Sequence, residues 1–349
     1  MYCLPHQIYI SNLLLLCKVQ SANTGRKLTP VSTNNHIMKA FISKYENDLG
    51  RLELSDIEMP DIKTGEVLVK TRAIDINPVD HKTLNGKGQY GRIKNDAPVI
   101  LGWDLSGEVV AVGSGVNTFK KGDDVFGMIN FPGHGKTYAE YVACPAEHLA
   151  RKPLQVSHET AAAATLSALT AYQLLKQFAV KPRSRVLVQG AAGGVGYIAV
   201  QIARHLGAYV IGTARAKDRK LLMAAGLDEL IDFETQDFQK TTGHIDMVLD
   251  TLGGDAVEKA FEILNPNGTL VTIPSGAGDS WKRVAEEKGI NASSFMVQSS
   301  GKDMMVLADW LEKGIIKPHI AHTLQFDEIP HIHEKMEAKK ISGKIVVRF

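Results

Sequence analysis

The sequence predicts an α/β protein of two domains, a β-rich one first and a doubly wound parallel sheet second. Three observations carry this. From Met38 to about Gln155 short β-type runs are punctuated by turn residues; from Ser157 onward helical and strand patterns alternate; and a glycine-rich stretch, "VLVQGAAGGVG", joins a strand to a helix within the second pattern. The 349 residues exceed the usual single core and suit two ordinary domains. With 44% hydrophobic and 22% charged residues, the composition is globular rather than disordered or membrane-embedded.

The first 37 residues stand apart. Their apolar run, Ile8 to Cys17, falls short of the ~20 residues that a membrane span needs. No Lys or Arg precedes it, no clear small-residue cleavage site follows, and a transit peptide would be richer in Arg. The segment reads as a disordered tail or as sequence upstream of a start at "MKAFISKY", with a secretory signal or transit peptide as the alternatives. Three of the 40 basic residues, Lys18, Arg26 and Lys27, lie there, so the body carries 37 basic against 38 acidic groups, a net charge of −1. That balance shows no nucleic-acid footprint. Three cysteines are too few for a disulfide framework, and the body's only thiol, Cys144, suits a reducing cytoplasm.

In chain order, "KAFISKY", "EVLVKTRAIDI", "LSGEVVAVGSGV", "DDVFGMI" and "TYAEYVACP" read as antiparallel strands, with Pro60, Pro78 and Pro98 where strands start or bend. A long helix follows over "SHETAAAATLSALTAYQLLKQF", capped by Ser157. Then "RVLVQG", a helix from Gly194 to Leu206, "AYVIGTA", the helical "KDRKLLMAAG", "ELIDF", "HIDMVLDTL", a helix near Asp255 to Leu264, and "GTLVTIPS" alternate, as right-handed βαβ units do. Phe295 to Gln298 read as an exposed edge strand. One more helix ("KDMMVLADWLEKG"), a strand near "HTLQF", a helix ("IHEKMEAKK") and the strand "GKIVVRF" return to the first domain, whose sheet edge accepts a terminal apolar strand.

The glycine stretch has the context that gives such a pattern meaning. Gly190, Gly193 and Gly196 follow an apolar strand and open a helix, which places backbone N–H groups and the positive helix end against a pyrophosphate. Gly193 and Gly194 spare the phosphates a side chain, and Gly196 lets helix and strand approach. About 20 residues further on, an acid would hold the ribose of NAD. Here "ARAKDRK" brings Arg215, Lys217, Arg219 and Lys220 instead, above small Thr213 and Ala214 and with Asp218 the one opposing charge. Cations at the strand tip favour the 2′-phosphate of NADP(H); a merely solvated basic helix start is the alternative.

With these residues in view, the order "NPVDHK", "LGWDLSGEVVAVGSGV", "GDDVFG", "YAEYV", "LTAY", "GAAGGVG", "DTLGG" and "SGKIVVRF" resembles the medium-chain dehydrogenase/reductase superfamily, in particular its zinc-free, zeta-crystallin-like quinone oxidoreductase branch. The resemblance spans Met38 to Phe349. It implies a GroES-like catalytic domain over residues 38–159 and 300–349 and a Rossmann NADP-binding domain over residues 160–299. Metal-dependent relatives hold zinc with Cys and His; the matching positions here are Asn77 and Trp103, and neither can ligate. No metal site is therefore expected, and His319, His322, His331 and His333 read as polar surface.

The resemblance implies hydride transfer from NADPH to a small electrophilic acceptor, a quinone or the β-carbon of an α,β-unsaturated carbonyl. It places Asn77, Asp80 and Lys82 in a cleft with Thr170, and Asn77 or Lys82 donates to the acceptor oxygen. Relatives carry tyrosines in this turn; one of those positions is Lys82 here, and Tyr90 stands two residues from the other. For Asp80 a cap carboxylate, and for Asn77 a turn residue before proline, are the alternative readings. Cofactor contacts fall on Gly190, Ala192, Gly193, Gly194, Val195, Gly196, Thr213, Arg215, Lys217 and Arg219, on Leu252 of the Asp250–Gly254 loop, and on Ile273, Pro274 and Ser275. A homodimer, with no nucleic-acid or membrane partner, is implied. Two other functions stay open: a catalytically idle nucleotide-binding protein of the crystallin or RNA-binding kind, and an alcohol dehydrogenase, which would demand a metal.

Overall fold

A computed structural model describes residues 37–241, 243–273, 280–338 and 343–349. The N-terminal segment before Ile37 lies outside them, as do Pro274 and Ser275. The chain opens with an antiparallel hairpin of β1 (Ile37–Glu46) and β2 (Leu49–Glu58). Next come β3 (Glu66–Ile76), α1 (Pro78–Leu84), α2 (Tyr90–Ile93), β4 (Asp104–Val112), β5 (Asp124–Met128), β6 (Tyr141–Pro145) and β7 (Leu149–Arg151). The helix α3 (His158–Gln177) follows, its N-terminus closed by Ser157 Oγ, which accepts from Thr160 N.

The alternating half contains β8 (Arg185–Gln189), α4 (Gly194–His205), β9 (Tyr209–Ala214), α5 (Arg219–Ala224), β10 (Glu229–Asp232), α6 (Phe238–Thr241), β11 (Ile245–Asp250), α7 (Asp255–Ala260), β12 (Leu264–Thr272), α8 (Ser280–Lys288) and β13 (Asn291–Ser294). The chain ends with α9 (Gly301–Glu312), β14 (Ile320–Gln325), α10 (Ile329–Glu337) and β15 (Lys344–Arg348).

β8 to β13 form one parallel sheet in the order β10-β9-β8-β11-β12-β13. Strand order reverses at β8, which pairs with both β9 and β11, so the crevice beyond its C-terminal end is where this architecture binds ligands. Helices cover both faces, and Val186, Leu187 and Val188 of β8 are accordingly all fully buried. The second sheet runs β14-β15-β3-β4-β5-β7, with β6 also on β3, so the chain's last strand lies beside an early one. α3 packs against β3, β4, β5 and β15 as well as α4 and α9. Its run Ala161 to Ala164 is fully buried, because a smooth alanine face lets one helix touch so many elements.

α7 runs on into a 3-10 turn over Phe261–Ile263, so the helical stretch from Asp255 reaches the start of β12 at Leu264. Two sequence expectations need correction here. The edge strand of the parallel sheet is Asn291–Ser294, and the apolar residues after it leave the sheet. His333 is not surface: it is 4% exposed, with Nε2 3.1 Å from the Tyr138 hydroxyl. Among the described residues no helix is long and apolar enough to cross a membrane.

Burial pushes His333 down to about 3 and His134, whose Nε2 lies 2.9 Å from Ile100 O, down to about 4. Both rings are thus neutral in the folded protein while the unfolded chain takes up protons as pH falls below 6.5. Because the unfolded state then binds more protons, stability is full above that pH and declines toward pH 4, by up to ~1.4 kcal/mol per pH unit for each ring. The buried carboxyls of Asp75 and Asp80 act in the opposite sense, so the rings' share is read as a difference: in urea unfolding from pH 7 to pH 4, His333→Gln is expected to lose less stability than wild type by about one ring's share. An unchanged slope in the variant would mean that His333 is protonated when folded.

Candidate active site

The strand β3 ends in a buried acid, Asp75, and delivers Asn77 to the start of α1. Pro78 takes the first helical position, where its missing N–H is no loss. Asp80 Oδ2 accepts from Asn77 N at 2.6 Å and fixes the turn. The Asn77 side chain points the other way: Nδ2 donates to Asp104 Oδ2 at 2.7 Å and to Asp75 O at 3.3 Å, and Oδ1 accepts from Lys344 Nζ at 3.0 Å. Lys344 Nζ also donates to Ser167 Oγ at 2.8 Å and ion-pairs with the Asp75 carboxylate, while Asp104 Oδ1 accepts from Leu166 N at 3.0 Å. Strands β3, β4 and β15 and helices α1 and α3 thus meet on one set of charges.

Asp75, Asp80 and Asp104 are all fully buried, against one ammonium. Desolvation pushes the Asp75 and Asp80 carboxyls well above the usual range and raises Asp104, with Lys344 pulling each back. Three unscreened anions beside one cation are costly, so burial favours the neutral form of the carboxyls.

Beside this cluster opens a cleft of about 190 Å³. Its walls are largely apolar, with Val79, Phe131, Leu166, Val195, Ile273, Phe295 and Met296 among them, and its polar side chains are Asn77, Lys82, Gln89, Thr170 and Thr251. Most of these are already engaged. Thr170 Oγ1 donates to Leu166 O at 2.7 Å, Thr251 Oγ1 donates to Gln189 O at 2.8 Å, and both Asn77 amide hydrogens are taken. Among the described residues the Lys82 ammonium and the Gln89 amide alone keep uncommitted donors in the cleft.

On the far side of the start of α4 lies a second hollow of about 390 Å³, lined by Gly190, Ala192, Gly193, Thr213, Arg215 and Lys217 together with His319 of the other lobe. The first intrahelical bond of α4, Tyr197 N to Gly193 O at 2.8 Å, leaves the N–H groups of Gly194, Val195 and Gly196 free at the helix start. A Cβ on Gly196 would strike the Gly190 carbonyl, and one on Gly194 would press on Lys344 Cδ at 2.9 Å and Ser167 Oγ at 3.0 Å. Thr213 Oγ1 accepts from Gly190 N and holds the loop to the neighbouring strand. Arg215 lies over the Phe233 ring, 5.9 Å to its centroid, and its Nε donates to Glu234 Oε1 at 3.0 Å. Free amides at a helix start between an apolar cleft and a basic rim fit a dinucleotide, with its ring end in the cleft and its adenosine end at the rim.

The structure therefore brings Asn77, Lys82, Thr170, Val195 and Ile273 to the cleft and Gly190, Ala192, Gly193, Thr213, Arg215 and Lys217 to the hollow. Gly194 lines a narrow recess between them with Lys344. Gly196 is packed behind the loop, Leu252 is 58% exposed beside Gly190, and Arg219 is exposed away from the hollow. Asp80 is a buried cap carboxylate beneath the turn. Tyr90 is a correction: its hydroxyl donates to Asp48 Oδ1 at 2.9 Å and its ring packs on Tyr45, so it faces the β1–β2 hairpin and Gln89 faces the cleft. Asp75, Asp104, Ser167, Lys344, Gln89 and Thr251 were not singled out by the sequence; the signal that marks two of them is an acid set among apolar strand residues, "AIDI" and "WDLS".

Residues 63–154 match the family described as alcohol dehydrogenase GroES-like domain, and residues 225–347 match zinc-binding dehydrogenase. The 2-methylene-furan-3-one reductase of Solanum lycopersicum is 32% identical over 340 residues, covering 94% of this chain and 84% of that one. The chain belongs to the zinc-free quinone oxidoreductase branch of the medium-chain dehydrogenase/reductase superfamily. It is also similar to the chloroplastic NADPH-dependent alkenal/one oxidoreductase of Arabidopsis thaliana, 29% identical over 94% of this chain and 84% of that one. The quinone oxidoreductase structure from Coxiella burnetii superposes with a TM-score of 0.84 at 32% identity, over 90% of this chain and all of the other. The protein is thus an oxidoreductase that uses a nicotinamide cofactor. At the two positions where metal-dependent members place ligands, the Asn77 amide is bound to Asp104 and Lys344, and the Trp103 indole donates to Gly133 O at 2.7 Å.

Removing the cation should unbalance the buried cluster, whereas replacing a carboxyl that burial already pushes toward its neutral form should cost far less. Lys344→Met is expected to lower the free energy of unfolding by ~3–5 kcal/mol. Asp80→Asn, whose amide oxygen can accept the same Asn77 N–H, is expected to cost less than ~1 kcal/mol. Urea unfolding of both variants checks this, and equal losses would contradict it.

Proposed function

We propose that this oxidoreductase reduces quinones or α,β-unsaturated carbonyl compounds with NADPH, without a metal. The observation that carries the reading is the uncommitted Lys82 ammonium in an otherwise apolar cleft beside Thr170, Val195 and Ile273. Bound NADPH supplies a hydride. As it reaches a quinone or the β-carbon of an enone, negative charge grows on the carbonyl oxygen. Lys82 Nζ donates to that oxygen, and the low polarity of the walls strengthens the interaction. Asn77, the other donor considered, has both amide hydrogens engaged and instead holds the turn on which Lys82 stands. Water at the cleft mouth delivers the one proton that completes the reduction, to the α-carbon of an enolate or to the oxygen of a reduced quinone. Phe131, Leu166 and Phe295 limit water around the reacting atoms.

The basic pair Arg215 and Lys217 at the edge of the hollow outnumbers the one carboxylate that lines it, Asp218, and supports NADPH over NADH. The edge of β13, unpaired among the described residues, supports a homodimer closed along that strand, with small molecules rather than nucleic acid or a membrane as further partners. The buried free thiol of Cys144 supports a cytoplasmic setting.

Consumption of NADPH with a panel of quinones, 2-alkenals and enones tests the reading, with NADH in parallel and a chelator in a third series. Turnover with NADPH that the chelator leaves unchanged is expected; tight NADPH binding with no turnover of any acceptor would favour an idle nucleotide-binding protein. Lys82→Met is expected to lower kcat ~10²–10³-fold while the KM for NADPH stays put. Replacing Arg215 and Lys217 together by Ala is expected to raise the KM for NADPH ~100-fold and leave that for NADH unchanged, as loss of two charge-assisted contacts requires. Equal effects on both cofactors would overturn the assignment of the 2′-phosphate.

A further inference from the structure

Gln89 is 4% exposed, lines the acceptor cleft, and its Oε1 is buried without a hydrogen-bond partner among the described residues. A buried amide oxygen left unpaired is unfavourable, and a ligand donor relieves that cost. The backbone that carries this side chain is anchored: Gln89 N donates to Thr83 Oγ1 at 3.1 Å, Thr83 Oγ1 donates to Val79 O at 2.7 Å, and Gly88 turns the chain with a left-handed φ of 53°. Tyr90, next in sequence, is anchored outward on Asp48. The backbone position of Gln89 is thus set before any acceptor binds.

Resting on the reductase reading of the same cleft, we infer that Gln89 is a specificity-determining residue that selects acceptors carrying a hydroxyl besides the activated carbonyl. Lys82 has three donors and no acceptor, so it serves the carbonyl oxygen and cannot accept from a donor group. The Gln89 amide offers one acceptor and two donors. A hydroxyl, which both donates and accepts, pairs with that amide in either of its flipped orientations. The remaining polar side chains cannot supply this match as donors, because the Thr170 and Thr251 hydroxyl hydrogens and both Asn77 amide hydrogens are engaged. An acceptor without the hydroxyl enters the same apolar cleft and leaves the amide unpaired, and that difference discriminates between acceptors more strongly than an added methylene would.

The test uses two 2-alkenals of equal chain length, one with and one without a hydroxyl on the carbon after the double bond, assayed with NADPH. The readout is the ratio of kcat/KM for the hydroxylated to the plain compound, in which the electronic effect of the hydroxyl is common to every enzyme form. Gln89→Leu is expected to lower that ratio ~10-fold relative to wild type, whatever it does to the rate with either compound alone. Gln89→Asn, which keeps the amide but withdraws it by one methylene, is expected to lose part of the ratio and guards against a folding defect in the leucine variant. An unchanged ratio in both variants, with both compounds still reduced, would overturn the role of Gln89 and leave the reductase reading standing. Failure of the wild type to reduce either alkenal or any quinone would instead overturn the reductase reading, and this inference with it.

Discussion

The ammonium of Lys344, at the first residue of β15, binds Asp75 on β3, Asn77 ahead of α1 and Ser167 on α3, and its stem fills the space a side chain at Gly194 would need. The strand register explains how one lysine reaches all of these. β15 pairs antiparallel with β3, Ile345 opposite Ile76, so Lys344 arrives beside the residue that follows the strand, Asn77. The turn that carries Lys82 and the helix start that carries the free amides are thereby tied to one buried charge. Burying an ion is unfavourable unless its partners surround it. Carboxylate, amide and hydroxyl oxygens do so here, and any displacement of the turn from the glycine loop would strip one away.

The cleft follows from that tie. Because Asn77, Asp104, Lys344 and Ser167 bond to one another, Asn77 alone of the cluster lines the cleft, and the walls are left to Val79, Phe131, Leu166, Val195 and their apolar neighbours. A lone cation in such surroundings acts on a developing oxyanion with less screening than it would in water. The same economy appears at the glycine loop. Where Gly194 and Gly196 stand, backbone, not side chains, approaches Lys344 and the Gly190 carbonyl, and the helix start stays open for phosphate.

What was legible in the sequence is what local backbone chemistry encodes. The strand, glycine loop and helix over residues 185–205 follow from apolar runs and glycine spacing, and Arg215 and Lys217 from the character of a strand tip. The charge cluster was not legible, because Asn77 and Lys344 lie 267 residues apart and nothing local links them. Tyr90 did not take its expected place because the short turn of α2 decides which of two neighbours faces inward, and a hydroxyl anchored on Asp48 is invisible in one dimension. Phe295 to Val297 have the apolar composition of a strand, yet they follow β13 and wall the cleft; composition reports burial without saying what buries a residue. His333 had the look of surface polarity because its partner, Tyr138, is 195 residues away.

Amide hydrogen exchange, resolved by peptide, in wild type and Lys344→Met tests most directly whether one buried cation couples the two halves of the site. Loss of protection in residues 75–84 and 190–197 together, larger than any loss in β9 and β10, is the result expected. Loss confined to residues 343–349, with the turn and the glycine loop as protected as before, would contradict the coupling.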